Sequence, residues 1–233
     1  MSRDTMLRPL LKLAGKGDFE LDSAIPTGYL VRTCWDYGTA MMRGKLRGLG
    51  FASRDGRYFI GRDVTLRCKG KIRLDSKVRL RDGVYIDALS REGVTLGDRV
   101  LLGRNTRIEC TGSLVSIGKG VTIGNDSTFG ADCYFGAAGG IEIGRDVMAG
   151  QLVRFHSENH NFEDTSVPIR MQGVTHRGIK IGDDVWIGAG VVFLDGVTVG
   201  GGCVIAANAV VTAGEYPSNS VIVGVPARVV KSR

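Results

Sequence analysis

One feature constrains this chain more than any other: Ile181, Ile187, Phe193, Val199, Ile205 and Val211 stand six residues apart without a break. A helix spaces its apolar residues by three and four and a half-buried strand by two, so a period of six belongs to neither. It predicts a parallel β-helix, in which each hexapeptide supplies one short strand and one corner. Ile181-Gly182 with Val185, Ile187-Gly188 with Val191, Val199-Gly200 with Cys203 and Ile205-Ala206 with Ala209 repeat one design. A large side chain fills the interior, a small residue follows it, and a smaller apolar residue lies four positions on. Glycine tolerates the backbone conformations that corners impose. The repeat thereby explains why 35 of 233 residues are glycine, about twice the usual ~7%.

The period extends over most of residues 60 to 211. Ile60, Leu66, Ile72, Val78 and Val84 open it; Leu96, Leu102 and Ile108 resume it; Ile117, Ile123, Phe129 and Phe135 continue it, followed by Ile143, Ala149 and Phe155. At about 1.5 to 3 kcal/mol per fully buried aliphatic side chain, this ladder is a sufficient core. Three interruptions, near 87–95, 109–116 and 136–142, are short. The fourth runs from Phe155 to Ile181, and a long excursion in a compact fold is usually functional.

Ahead of the repeats, residues 1–17 suit a short amphipathic helix limited by Pro9 and closed by Gly15 and Gly17. Thr27 to about Leu49 suits a second helix. Leu30, Val31, Cys34, Trp35, Met41, Met42 and Leu46 offer it an apolar face and Arg32, Arg43, Lys45 and Arg47 a basic one, while Gly28, Gly38, Gly44 and Gly48 argue against it. Two roles fit this region. One is a cap over the open end of the β-helix with its charges in water; the other is peripheral contact with an anionic inner-membrane surface. The chain thus divides into an N-terminal helical cap region (1–59), a β-helix (60–215) with a loop at 156–180, and a C-terminal tail (216–233).

No apolar run approaches the ~18 residues of a membrane span. Arg8 and Lys12 interrupt any signal-peptide core, so a cytoplasmic location is expected. The five cysteines include no CxxC pair; Cys133 and Cys203 fall at small interior positions, and Cys34, Cys68 and Cys110 are read as reduced thiols. A net charge of +7 suits phosphate-bearing partners and equally an ordinary basic surface. No basic patch is interleaved with aromatics, so nucleic-acid binding has no support.

All three histidines, His156, His160 and His176, lie in the segment HSENHNFEDTSVPIRMQGVTHRGIK at 156–180. Imidazole titrates near neutrality, which suits it to take a proton from a hydroxyl or an amine. Three polar loop histidines without a catalytic role are the plain alternative. A zinc site would want histidines on neighbouring coils, and none precedes residue 156, so no metal is expected. Ser157 lacks the elbow of a catalytic nucleophile.

The blocks IGDDVWIGAGVVFLDGVTVGGGCVIAANAVV, the loop HSENHNFED and the tail VIVGVPARVVK together resemble the hexapeptide-repeat acyltransferases. The likeness is to the branch of the maltose and galactoside O-acetyltransferases and those of capsule and lipopolysaccharide assembly. It is dense from about residue 96 onward and thin over the first 59 residues. It implies an all-β solenoid, a left-handed parallel β-helix of about eighteen residues per triangular coil, with a short helical N-terminal region. It also implies a homotrimer with active sites between subunits, acetyl-CoA as co-substrate and a small-molecule or glycan acceptor. His160 matches the family's base, with His156 second. Trp186 would flank the pantetheine arm, Ala189 and Ala207 would offer it backbone groups, and Arg228 and Lys231 would approach the CoA phosphates. Asp132, Asn159 and Glu158 are the candidates for acceptor contact. Relatives that use simple glycosides carry asparagine where this chain has Gly130 or nearby, which leaves the acceptor open. Glu158, Glu163 or Asp164 would orient the imidazole. The expected activity is O-acetylation of a sugar, polysaccharide or glycan precursor. The alternatives are N-acylation of an amino sugar nucleotide and, third, a non-enzymatic trimeric scaffold; a γ-type carbonic anhydrase lacks its histidines here.

Overall fold

The computed structural model describes residues 22–52 and 57–233; the helix expected over 1–17 lies outside the described residues. The chain winds as the expected left-handed parallel β-helix of triangular section. One face is a nine-stranded sheet running from Phe59–Ile60 to the C-terminal strands, and the other two have seven strands each. Apart from the C-terminal pair, strands within a face are parallel and one coil apart, so Phe129 lies beside Ala149, and Ile187 beside Ile205. Corners turn through left-handed backbone at Asp126, Asp132, Asp146, Asp184 and Asn208, short polar side chains that accept that region readily.

The ladder residues fill the interior. Ile60, Ile72, Leu80, Leu102, Phe135, Ile187 and Val211 are all fully enclosed. Leu66 and Ala149 pack against the core only partly. Ile117 departs from the expectation: it is exposed, because the coil from Leu101 to its partner Thr128 is 27 residues long and carries Ile117 outward in its excess. Four phenylalanines stack through successive coils. Phe135 and Phe155 lie 4.8 Å apart between centroids, as do Phe155 and Phe193, while Phe129 meets Phe135 edge-on at 5.1 Å.

The helix spans Thr27–Arg47, and its orientation reverses the expected one. Arg43 Nε donates to the Ile60 carbonyl at 2.8 Å and Arg47 Nη1 to the Val64 carbonyl at 2.7 Å. One coil further on, the equivalent carbonyls of Leu80 and Val84 accept from the backbone N–H groups of Gly61 and Thr65. The first coil has no coil above it, and the two guanidinium groups replace the missing amides. That demand turns Arg43 and Arg47 toward the coil, while Arg32 and Lys45 stay exposed and Val31, Trp35, Met42 and Leu46 are left exposed with them. Gly44, counted against the helix, is its one buried residue. A Cβ there would lie 2.0 Å from the Tyr58 carbonyl oxygen, so close approach of helix to coil requires glycine. At the other end Ser220–Gly224 and Ala227–Ser232 close the solenoid as an antiparallel pair. Among the described residues, no helix is long and apolar enough to cross a membrane.

Candidate active site

The long excursion begins where the aromatic ladder ends. Phe155 is locked between Phe135 and Phe193, which fixes the strand Arg154–His156 and hence the position of His156. The next residue, Ser157, is buried; its hydroxyl donates to the Gly136 carbonyl at 2.8 Å and accepts from the Gly139 N–H at 3.0 Å. Both bonds of that hydroxyl serve the backbone. Asp195, also buried, holds the other end of the loop by accepting from the N–H groups of Arg177 and Gly178 at 2.8 to 3.1 Å. Between these pins the loop is tied to itself. Asn159–His160 pairs antiparallel with Val174–Thr175, and the Gln172 side chain bonds the backbone at Asp164 and Val167.

His156 and His160 line one cleft of 260 Å³ together with Glu109, Tyr134, Gly136 and Glu158. Glu109, Gly136 and His156 occupy one register row across three successive coils, and the glycine between the two larger side chains leaves the opening. The cleft wall is held from behind. Tyr134 donates its hydroxyl to Glu109 Oε2 at 3.1 Å, Arg107 holds Glu109 Oε1 at 2.7 Å, and the Tyr134 ring lies 5.5 Å from that of His156. Burial, with a smaller effect from Arg154, lowers the pKa of His156 below its ordinary value. Its imidazole is therefore neutral at pH 7. His160 is exposed over the cleft on the loop strand.

The acidic residues divide otherwise than expected. Glu158 Oε2 lies 2.7 Å from His176 Nε2, so Glu158 partners His176. Asp164 is held by Ser166, whose bonds lower its pKa. Among the described residues no carboxylate is bonded to His160. Asp132 sits away from the cleft, at a left-handed corner where it accepts from Asn105 Nδ2 at 3.1 Å, and Asn159 is exposed on the loop strand.

The remaining candidates gather on a different face. Trp186, Val204, Val221 and Lys231 form a continuous register row across the nine-stranded sheet, with exposed Met148 beyond Trp186. Arg228 is exposed on the same terminal strand as Lys231. Ala189 and Ala207 stack on adjacent coils at the corner that follows, with a Cβ on Gly188 lying 2.4 Å from the Ala207 nitrogen. The described residues thus form two groups, one of loop histidines and one of Trp186, the two alanines and the terminal cations. Sequence reasoning missed Glu109, Tyr134 and Asp195; the first two become visible only when coils of unequal length are laid in register. Among the described residues, no group of three or more His, Cys, Asp or Glu could hold a metal ion.

Two stretches of the chain match known repeat families: residues 178–213 match the bacterial transferase hexapeptide (six repeats), and 120–148 the hexapeptide repeat of succinyl-transferase. Over 93 residues the chain is 42% identical to a Mycobacterium tuberculosis protein named a probable acetyltransferase, covering 40% of this chain and 31% of the relative. Over 98 residues it is 35% identical to an Escherichia coli protein provisionally named a lipopolysaccharide biosynthesis O-acetyl transferase, covering 39% and 50%. The chain therefore spans a third to a half of the length of these curated relatives. Among solved structures it is similar to a hexapeptide-repeat-containing acetyltransferase of Vibrio cholerae complexed with acetyl coenzyme A. There the identity is 28% and the TM-score 0.50, over 58% of this chain and 69% of the other.

Proposed function

From a chain that carries the hexapeptide repeats of the bacterial transferases, we propose an acetyl-CoA-dependent O-acetyltransferase acting on a hydroxyl of a sugar, polysaccharide or glycan precursor. The observation that carries this reading is the meeting of His156 and His160 over one cleft, on a loop pinned at both ends. The register row from Trp186 to Lys231 supports it. An apolar track ending in a cation suits the pantetheine arm and phosphates of CoA, with Ala189 and Ala207 beside the track and Arg228 near its end. Because the two groups lie on different faces of one chain, the working site would join the loop of one copy to the track of another in a homotrimer.

In this mechanism the His160 imidazole takes the proton from the acceptor hydroxyl as its oxygen attacks the thioester carbonyl. A backbone N–H at a corner stabilises the oxyanion. The carbon–sulfur bond then breaks, and the imidazolium returns the proton to the leaving thiolate, giving the acetyl ester and free CoA. Holding both substrates in one cleft supplies much of the rate without an acyl-enzyme. Glu158, through His176, shapes the loop, and exposed Asn159, next to His160 on the loop strand, is proposed to meet the acceptor.

Thiol release from acetyl-CoA against a panel of sugars and amino sugars tests the proposal. Release with hydroxyl acceptors is the expected result. Release only with amino acceptors would assign N-acylation instead, and no binding of CoA at millimolar concentration would end the transferase reading.

A further inference from the structure

A cavity of 420 Å³ lies between the helix and the first coils, and its lining is dominated by Arg32, Arg43, Arg62, Arg79, Arg81 and Arg104. Against these six cations stand two carboxylates, both already engaged. Asp82 Oδ1 accepts from the Arg62 backbone N–H at 2.8 Å, and Asp36 faces Arg32 at 3.4 Å and Arg62 at 3.8 Å. Arg43 is held by the Ile60 carbonyl, and Arg79 reaches the Tyr37 hydroxyl at 3.5 Å. Among the described residues, the guanidinium groups of Arg81 and Arg104 have no partner. Collecting like charges around a concavity costs free energy unless an anion occupies it.

We infer that this cleft binds a diphosphate group. The guanidinium fork matches phosphoryl oxygens bidentately. Arg81, Arg104 and half-buried Arg79 together offer more donors than the two oxygens of a single carboxylate can accept. Position suggests whose diphosphate it is. Arg62, Asp82, Arg104, Ala131, Gln151, Ala189 and Ala207 follow one another along a single corner of the solenoid, each two residues beyond paired strand positions. Arg104 is three coils from Ala189, about 14 Å at the usual strand spacing. An acceptor anchored here by its diphosphate extends along that corner toward the CoA track from the opposite end. Assignment to the acceptor rests on the transferase reading; the anion site itself does not.

Calorimetry with inorganic pyrophosphate on protein saturated with CoA, so that the CoA track is filled, tests the site. Wild type is expected to bind, and Arg81→Gln/Arg104→Gln to weaken binding at least about tenfold while CoA affinity and thermal stability hold, since both side chains are at the exposed rim. Absence of binding, or equal affinity in the variant, overturns the inference. Uridine diphosphate in solution and vesicles carrying a polyprenyl diphosphate then separate a nucleotide-linked from a lipid-linked source, each requiring loss in the same variant. If thiol release fails with every acceptor while pyrophosphate binding persists, the acceptor assignment falls and the anion site stands.

Discussion

An imidazole acts as a base only while neutral, and the two histidines of the cleft sit in different settings, His156 half-buried against Tyr134 and His160 exposed on the loop strand. His160 is an exposed loop side chain that fills no core position, so His160→Ala is expected to leave folding and CoA affinity nearly unchanged. Loss of a general base lowers the rate by ~10²- to 10⁴-fold, and thiol release reads it. His156→Ala should cost less; the reverse order at unchanged stability would move the base to His156. A second expectation concerns pH. The pKa of folded His156 lies below its ordinary 6.5, so as pH falls the unfolded chain takes up this proton first. The stability due to neutral His156 is present above about pH 6.5 and is lost as pH drops through the folded pKa. Melting temperature against pH should therefore fall less steeply on the acid side in His156→Gln; identical slopes would show that burial there does not disfavour the charge.

Among the elements, the loop depends on its two anchors more than on its own contacts. Asp195 accepts from the N–H groups of Arg177 and Gly178 at the loop's return, and its removal leaves these part-buried amides without their acceptor, at about 1 kcal/mol. Asp195→Ala is expected to lower stability by that order and to slow transfer while CoA affinity holds, because the proposed CoA track lies on another face. Faster hydrogen exchange at residues 176–179 would accompany it; exchange and rate both unchanged would refute the anchoring role. The period of six made the interior legible from sequence, since Ile181, Ile187 and Phe193 face inward whatever the coil length. Outward neighbours were not legible. The step from Phe155 to its partner Phe193 is 38 residues and that from Ile187 to Ile205 is 18, so the row of Glu109, Gly136 and His156 cannot be aligned without knowing each excess. The helix was found but its faces were exchanged, because the need of the Ile60 and Val64 carbonyls for donors belongs to the coil and leaves no mark on the helix's own pattern.

At the scale of the whole molecule, the face bearing Trp186 is incomplete. Met148 and Trp186 are exposed and Val204 and Val221 half-exposed in one row, and such a strip on a flat face suits a subunit interface. A head-to-tail contact that closes after three copies makes each interface from two different surfaces, which in the proposed trimer would be the histidine loop of one chain and the track of the next. Light scattering should accordingly give three times the 25.0 kDa of one chain, and a monomer would remove the shared site. Mass alone does not show sharing; mixing does. Chains carrying His160→Ala and chains carrying Trp186→Ala/Lys231→Ala are each expected to be inactive, since every interface then lacks a base or a track. If equal amounts are unfolded and refolded together, an interface whose loop comes from a track variant and whose track comes from a His160→Ala chain is intact. Random assembly forms it in about one case in four, so activity should return to about a quarter of wild type. Were both groups drawn from one chain, every site would keep a lesion and the mixture would stay inactive.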